Sequence, residues 1–183
     1  MSKTKDKLIY NISVTALFTA IIAICSWISV PIGPVPFTMQ TFAVFCTAGI
    51  LGFKRGFFAT AVYILLGAVG VPVFHGFTGG IGIILGATGG YIVGFIATAA
   101  IVGLIADKIG RKFFWLVLGM VLGLAACYTF GTAWYMAVYA AKSCGVGIAT
   151  ALVKCVVPFL IPDAAKIALA AVAVTNVCRI IKV

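Results

Sequence analysis

Charged residues in this chain are gathered into a few short clusters, with long apolar runs between them. Residues 8–30, 37–52 and 113–141 contain no charged side chain, and residues 57–106 contain none apart from His75. A last run, roughly 159–181, is interrupted by Asp163, Lys166 and Arg179. A helix needs about 20 apolar residues to cross a hydrocarbon core of about 30 Å. The 57–106 stretch is long enough for two crossings and each other run for one. The pattern predicts an all-α integral membrane protein: a compact bundle of six transmembrane helices in a single domain over residues 1–183. The run at 113–141 is long for one crossing and the run at 37–52 is short, and tilt or a flanking cavity accommodates both. The run that follows Lys3, Lys5 and Lys7 is too long for the core of a signal peptide, and no small-residue cleavage site follows Val30. It reads as the first helix.

Composition agrees with lipid as the solvent. The chain is 64% hydrophobic and 9% charged, whereas a soluble domain carries about 25% charged residues. The 13 Lys and Arg outnumber three acidic residues, and their positions decide what that excess means. Lys3, Lys5, Lys7, Lys54, Arg55, Lys108, Arg111, Lys112, Arg179 and Lys182 all fall on one side of a six-crossing chain. Lys142 and Lys154 fall on the other, and Lys166 lies within the last helix. The positive-inside rule then places both termini in the cytoplasm, as an even number of crossings requires. The distribution describes topology and not a nucleic-acid surface. Six scattered cysteines form no CxxC pair. Cys144 and Cys155 fall near the outer surface, where pairing is an alternative to two free thiols.

Connections differ between the two faces. The cytoplasmic ones, 52–56 and 107–112, are short and basic. The outer ones are apolar and rich in Pro and Gly. Pro31-Ile32-Gly33-Pro34-Val35-Pro36 excludes helix and favours a stiff extended segment. The connection at about 72–87 is too glycine-rich for a stable helix, and irregular backbone at membrane depth survives only when buried in protein or lining a cavity. The third, about 142–160, has room for a short interfacial helix before Pro158. Together these segments predict a pocket that opens outward. No repeat of 20–50 residues is evident and the halves are not inverted copies, which argues against a self-sufficient secondary transporter.

Few residues carry chemistry. Asp6 and Asp107 belong to basic tail and loop segments and are expected to be solvated. Asp163 follows Pro158 and Pro162 at the outer start of the last helix, and Lys166, three residues on, shares its face. A local salt bridge at a helix start is one reading. Ionisable groups in membrane helices usually mark a ligand or ion path, which is the other. The pair would suit a ligand with N–H donors and a carbonyl or carboxylate. Thr38, Gln40 and Thr41 cap the second helix or line a pocket. His75 is an interfacial residue or a pocket donor. Phe37, Phe74, Phe77, Tyr91, Trp134 and Tyr135 supply apolar walls or an interfacial belt. Ala16/Ala20, Gly90/Gly94, Gly119/Gly123 and Ala164/Ala168 are small-xxx-small pairs that permit close helix approach. No GxxxxGK[ST], HExxH, GxSxG or acidic pair is present, so neither ATP hydrolysis nor other catalysis is expected, and one His with no metal-ligand cluster predicts no metal and no cofactor.

Three stretches resemble the BioY family, the biotin-binding S-components of energy-coupling factor transporters. They are Pro31-Ile-Gly-Pro-Val-Pro-Phe-Thr-Met-Gln-Thr41, then Leu65-Leu-Gly-Ala-Val-Gly-Val-Pro-Val-Phe74 continuing to Gly86-Ala-Thr-Gly-Gly-Tyr91, and Pro158-Phe-Leu-Ile-Pro-Asp-Ala-Ala-Lys166. The resemblance implies capture of biotin at the outer face of a bacterial plasma membrane. Docking on a transmembrane coupling subunit with two ATP-binding subunits would follow. It implies that Asp163 accepts N–H bonds from the ureido ring and that Lys166 meets a polar or anionic group of biotin. Thr38, Gln40, Phe74, His75, Thr88 and Tyr91 join them as expected substrate contacts. Ala16 and Ala20 correspond to the small-xxx-small pair through which such proteins touch the coupling subunit. Two departures stand out: Ile161-Pro162-Asp163 replaces the family's PGD, and Gly86-Ala87-Thr88-Gly89-Gly90 replaces its GPTGG. An S-component for another small vitamin, and a solitary transporter or channel, are the alternative readings.

Overall fold

The computed structural model describes residues 2–31, 35–141, 145 and 147–181. Its elements run α1 (Ser2–Trp27), β1 (Ser29–Val30), β2 (Phe37–Thr38), α2 (Gln40–Ala68), a 3₁₀ turn (His75–Phe77), α3 (Ile81–Ile84), α4 (Gly89–Lys108), α5 (Phe113–Ala141), α6 (Ile148–Cys155) and α7 (Val157–Ile181). Five of these helices are long and apolar enough to cross a membrane: α1, α2, α4, α5 and α7. Large apolar side chains such as Leu8, Ile9, Phe58, Leu65, Leu169 and Ile180 point outward, while Asp163, Lys166, Gln40, Thr47, Thr60 and Thr98 are buried. That inversion of the soluble pattern is what a lipid solvent selects.

α2 is not one rod. Gly52 has φ +76° and ψ −173°, a backbone region reserved for glycine. In a straight helix Gln40 and Tyr63 would stand about 34 Å apart at 1.5 Å per residue. Instead Gln40 Nε2 donates to the Tyr63 hydroxyl at 2.5 Å, and Gly56 lies directly against the Ala48 backbone. The chain therefore reverses at Gly52, and α2 is a hairpin of two antiparallel helices, 40–51 and 53–68. The expected basic loop over 52–56 shrinks to this one residue, because Lys54, Arg55 and Gly56 already belong to the second helix.

Asp107 makes the reversal possible, and it is not the free loop residue that its neighbours suggested. Its Oδ2 accepts the Phe53 N–H at 2.7 Å, and its Oδ1 faces Arg111 Nη2 at 3.4 Å. Arg111 Nε in turn donates to the Gly49 carbonyl at 3.1 Å. The two helix ends exposed by the turn, one N–H and one C=O, are thus capped by an acid and a base from the α4–α5 connection.

α4 lies between α2 and α5. Small residues set the α4–α5 spacing: Gly94 faces Cys127, Gly123 faces Thr98 and Gly119 faces Ile105. Thr98 Oγ1 crosses that seam to the Gly123 carbonyl at 2.9 Å. The small-xxx-small pairs at 90/94 and 119/123 thus lie at different heights of one seam, each facing larger residues of the other helix, while Ala16 and Ala20 lie exposed on α1. At the opposite end from Gly52, β1 and β2 pair antiparallel, Ser29 with Thr38 and Val30 with Phe37. Residues 32–34 of the Pro-rich segment lie outside the described residues, as does Cys144. Cys155 is a free, buried thiol.

The 69–88 segment, too glycine-rich for a long helix, holds a 3₁₀ turn and one turn of α3. It is held by protein contacts: Trp27 Nε1 donates to the Pro72 carbonyl at 3.0 Å, Ser26 Oγ donates to the Val73 carbonyl at 2.5 Å, and Trp134 Nε1 donates to the Gly86 carbonyl at 3.0 Å. The expected short helix before Pro158 is α6. α7 begins earlier than the proline pattern implied. Pro158 occupies its first turn, where a missing N–H is harmless, and Pro162 falls inside the helix.

The Gly52 turn yields a test. Gly52→Ala places a side chain at φ +76° and drives its Cβ into the Asp107 carboxylate, whereas Gly110, at φ +126°, has nothing within 4 Å. Backbone strain of this kind costs about 1–3 kcal/mol. Gly52→Ala is expected to lower the thermal midpoint of the solubilised protein clearly more than Gly110→Ala. Equal midpoints for the two variants would remove the Asp107 contact from the account.

Candidate functional site

Where β2, the start of α2, the 3₁₀ turn, α4, α5, α6 and the first turns of α7 converge, they line a cavity of about 60 Å³. Asp163 and Lys166 project into it from α7, one helical turn apart. They are 3% and 4% exposed, and Lys166 Nζ sits 2.7 Å from Asp163 Oδ1. Burying two such charges costs several kcal/mol per ion unless their remaining donors and acceptors are matched. Here they are. The ammonium donates to the Thr38 carbonyl at 2.6 Å and to Thr41 Oγ1 at 3.0 Å. It also lies 3.9 Å from the centre of the Phe37 ring, a cation–π contact. Thr41 Oγ1 donates onward to Asp163 Oδ1 at 3.4 Å. The second carboxylate oxygen accepts from the Tyr128 hydroxyl of α5 at 2.6 Å.

All three ammonium hydrogens are therefore committed to protein acceptors. Asp163 Oδ2 carries one hydrogen bond and keeps acceptor capacity, because a carboxylate offers about four lone-pair sites. The site is an acceptor beside a donor, both dehydrated and held in position by three elements. It can recognise a ligand that brings N–H groups to Asp163 and a carbonyl or anion to Lys166. No cluster of His, Cys, Asp and Glu able to hold a metal exists among the described residues.

The model of the BioY family matches residues 1–183. The chain belongs to the BioY family. A biotin transporter BioY of Thermotoga maritima is 50% identical over 115 residues, 63% of this chain and 68% of that one. A probable biotin transporter BioY of Pyrococcus horikoshii is 40% identical over 162 residues, covering 88% and 92% of the two chains. The fold is also that of a crystal structure described as the S-component for biotin from an ECF-type ABC transporter, with TM-score 0.85, 26% identity and coverage of 98% and 94%. The three motif stretches supply Val35, Thr38, Thr41, His75, Thr88 and Asp163 among others to the cavity wall, and α4, α5 and α6 add Ile92, Phe95, Cys127, Tyr128 and Cys155.

Seven of the eight expected substrate contacts line it: Thr38, Gln40, His75, Thr88, Tyr91, Asp163 and Lys166. Gln40 is held by the Thr38 hydroxyl at 2.9 Å and by Tyr63. Tyr63 donates to the Val73 carbonyl at 3.1 Å, which ties the α2 hairpin to the glycine-rich segment. Tyr91 meets Thr132 at 3.3 Å. Burial lowers the pKa of the His75 imidazole from its ordinary value by disfavouring the charged form. Phe74 is placed elsewhere: fully buried, edge-on to Tyr63 at 5.6 Å and against Gly67, it supports the loop from beneath. Neither Phe77 nor Tyr135 lines the cavity: Phe77 stacks on Trp27 at 4.8 Å at an exposed position, and Tyr135 is buried with its ring 4.4 Å from that of Tyr139.

The residue that sequence reasoning missed is Tyr128. It lies in the middle of a charge-free run, away from the interfaces where aromatics draw notice. A tyrosine hydroxyl at membrane depth needs a partner, and that was the available signal.

Because the ion pair is buried, removing one partner is expected to cost more than removing both. Lys166→Met alone should cost about 3–5 kcal/mol, and adding Asp163→Asn should recover a substantial part of the lost thermal midpoint. A double variant no more stable than Lys166→Met would mean that the pair does not balance the buried charge.

Proposed function

We propose that this chain is the biotin-capturing S-component of an energy-coupling factor transporter, binding the vitamin from outside and docking on a transmembrane coupling subunit with two ATP-binding subunits. The observation that carries this reading is the dehydrated Asp163–Lys166 pair, hydrogen-bonded to Tyr128 and Thr41, inside a cavity of a BioY-family chain. The ureido N–H groups of biotin complement the open acceptor capacity of Asp163. The ureido oxygen or a neighbouring anionic group takes a Lys166 donor from Thr38 or Thr41. Thr88, His75 and Tyr91 supply the rest of the wall.

Ligand pockets for molecules of this size are about 300–1,000 Å³, and the cavity here is about 60 Å³. The described conformation is then a closed one, and the Val35–Thr38 and His75–Thr88 walls separate to admit the vitamin. The two arms of the α2 hairpin each cross the bilayer, for six crossings in all. The 40–51 arm is short at about 18 Å and flanks the cavity, where a full span is not needed. Both termini, the Gly52 turn and Lys108–Lys112 then lie on the cytoplasmic face of a bacterial plasma membrane. Ala16 and Ala20, exposed on α1, meet the coupling subunit through close helix approach.

Calorimetric titration of the purified protein tests the ligand. Biotin is expected to bind and thiamine and riboflavin are not, with dethiobiotin reporting on contacts to the thiophane ring. Binding of another vitamin in place of biotin would overturn the assignment. Asp163→Asn and Lys166→Ala should each weaken biotin binding by about 10- to 100-fold, the loss of one or two hydrogen bonds to a charged group. Unchanged affinity in both variants places the ligand elsewhere. Ala16→Trp or Ala20→Trp is expected to spare biotin binding and block co-purification with the coupling subunits. If either variant loses biotin instead, α1 belongs to the pocket.

A further inference from the structure

The Asp163 carboxylate is held differently at its two oxygens. Oδ1 meets the Lys166 ammonium at 2.7 Å and the Thr41 hydroxyl at 3.4 Å. Oδ2 meets the Tyr128 hydroxyl at 2.6 Å, its one donor among the described residues. Tyr128 is half-buried and lines two spaces. One is the cavity. The other is a groove of about 500 Å³ between α5 and α6, walled by Thr132, Met136, Ile148 and Leu152 among others. Among the described residues no other side chain lines both. The ring therefore stands between cavity and groove, and its hydroxyl is turned in to the carboxylate.

A phenylalanine would fill the same wall, so packing alone does not require the hydroxyl. The ion pair does. A carboxylate beside an ammonium gains by turning both oxygens to the nearest charged and polar donors. With its Cβ–Cγ bond free to rotate, Asp163 would close both oxygens onto Lys166 and Thr41, and an entering ligand would have to break that contact first. A hydrogen bond to a charged acceptor is stronger than one between neutral groups, and the Tyr128 contact opposes that rotation. Oδ2 stays apart from the ammonium with lone pairs to spare. Order set in advance of binding raises affinity, because the ligand does not then have to impose it.

We propose that Tyr128 is a positioning residue of the vitamin site: it holds Asp163 Oδ2 away from Lys166 and keeps it available to an N–H donor of the ligand. The inference rests on the biotin reading above and adds to it a residue of α5 that acts through Asp163, not through contact with the thiophane ring.

The test uses the solubilised full chain and the variant Tyr128→Phe, which keeps the ring. The chain has three acidic side chains, Asp6, Asp107 and Asp163, so aspartate labelled with heavy carbon at its carboxyl group makes the carboxylate stretch readable by infrared spectroscopy. Asp163→Asn identifies the Asp163 band by its loss. In ligand-free protein Tyr128→Phe should shift that band, and Tyr139→Phe, half-buried on α5 outside the cavity, should leave it in place. In calorimetric titration Tyr128→Phe should weaken biotin and dethiobiotin alike, by about tenfold, and should cause no further loss in an Asp163→Asn background. An unmoved band or unchanged affinity overturns the proposal. So does a loss confined to biotin, which would make Tyr128 a contact of the thiophane ring, or a tenfold loss that persists beside Asp163→Asn. The band is read without ligand, which separates the two readings. A wild-type chain that binds no biotin overturns the vitamin assignment, and the binding role with it, even where the band shifts. A chain that binds biotin with the band unmoved in Tyr128→Phe overturns the role of Tyr128 alone.

Discussion

Three hydrogen bonds from one ammonium group hold together the end of this protein opposite the Gly52 turn. Lys166 belongs to α7, but its donors reach the carbonyl of Thr38 in β2, the hydroxyl of Thr41 in α2 and the carboxylate of Asp163. With Tyr128 reaching the same carboxylate from α5, one buried pair ties together segments more than a hundred residues apart in the chain. In water such a pair would contribute little. In a dehydrated cavity each unmatched donor or acceptor is costly, so the surrounding elements are positioned by the need to match them. The same matching suits the site to the role proposed for it: a ligand that supplies equivalent donors and acceptors can replace protein partners without leaving a charge bare.

The opposite end follows the same rule with different residues. A turn at Gly52 exposes a helix C-terminus and a helix N-terminus within one residue, and Arg111 and Asp107 cover them. These charges sit near the surface and are partly hydrated, so they cap backbone without forming a ligand site. The glycine-rich segment is a third instance. Trp27, Ser26, Tyr63 and Trp134 accommodate its irregular backbone by bonding its carbonyls from α1, α2 and α5. Gly90 then lets α4 approach Trp134 closely enough for that bond to form.

Much of this was legible in the sequence because lipid enforces simple rules. Charge-free runs marked the helices, and Pro and Gly clusters marked the outer connections. Asp163 and Lys166 stood out because ionisable residues in apolar runs are rare. What stayed illegible depended on contacts between distant segments. Lys54 and Arg55 carry the charge expected of a loop, yet the turn is made at Gly52 and both are helical. Asp107 looked solvated because its partner is the Phe53 amide, which has no side-chain signature. Phe74 looked like a pocket wall, but Gly67 and Tyr63 leave it a place beneath the loop. Tyr128 was invisible because nothing local separates a tyrosine that satisfies a carboxylate from one that packs.

These failures share a cause that bears on how the site works. Hydropathy reads each residue against the solvent, whereas the cavity is defined by residues read against each other. Most of the polar side chains that face it are already paired: Thr38 with Gln40, Gln40 with Tyr63, Tyr91 with Thr132, Lys166 with Asp163. A ligand entering this network exchanges one set of partners for another and gains mainly through the apolar area it buries and the fit of its polar groups. Under the function proposed above, selectivity would follow from this network. A molecule that cannot replace every bond it displaces leaves a buried donor or acceptor unpaired, at about 1–3 kcal/mol each, and two such losses separate a cognate ligand from its analogues by a factor of about thirty or more.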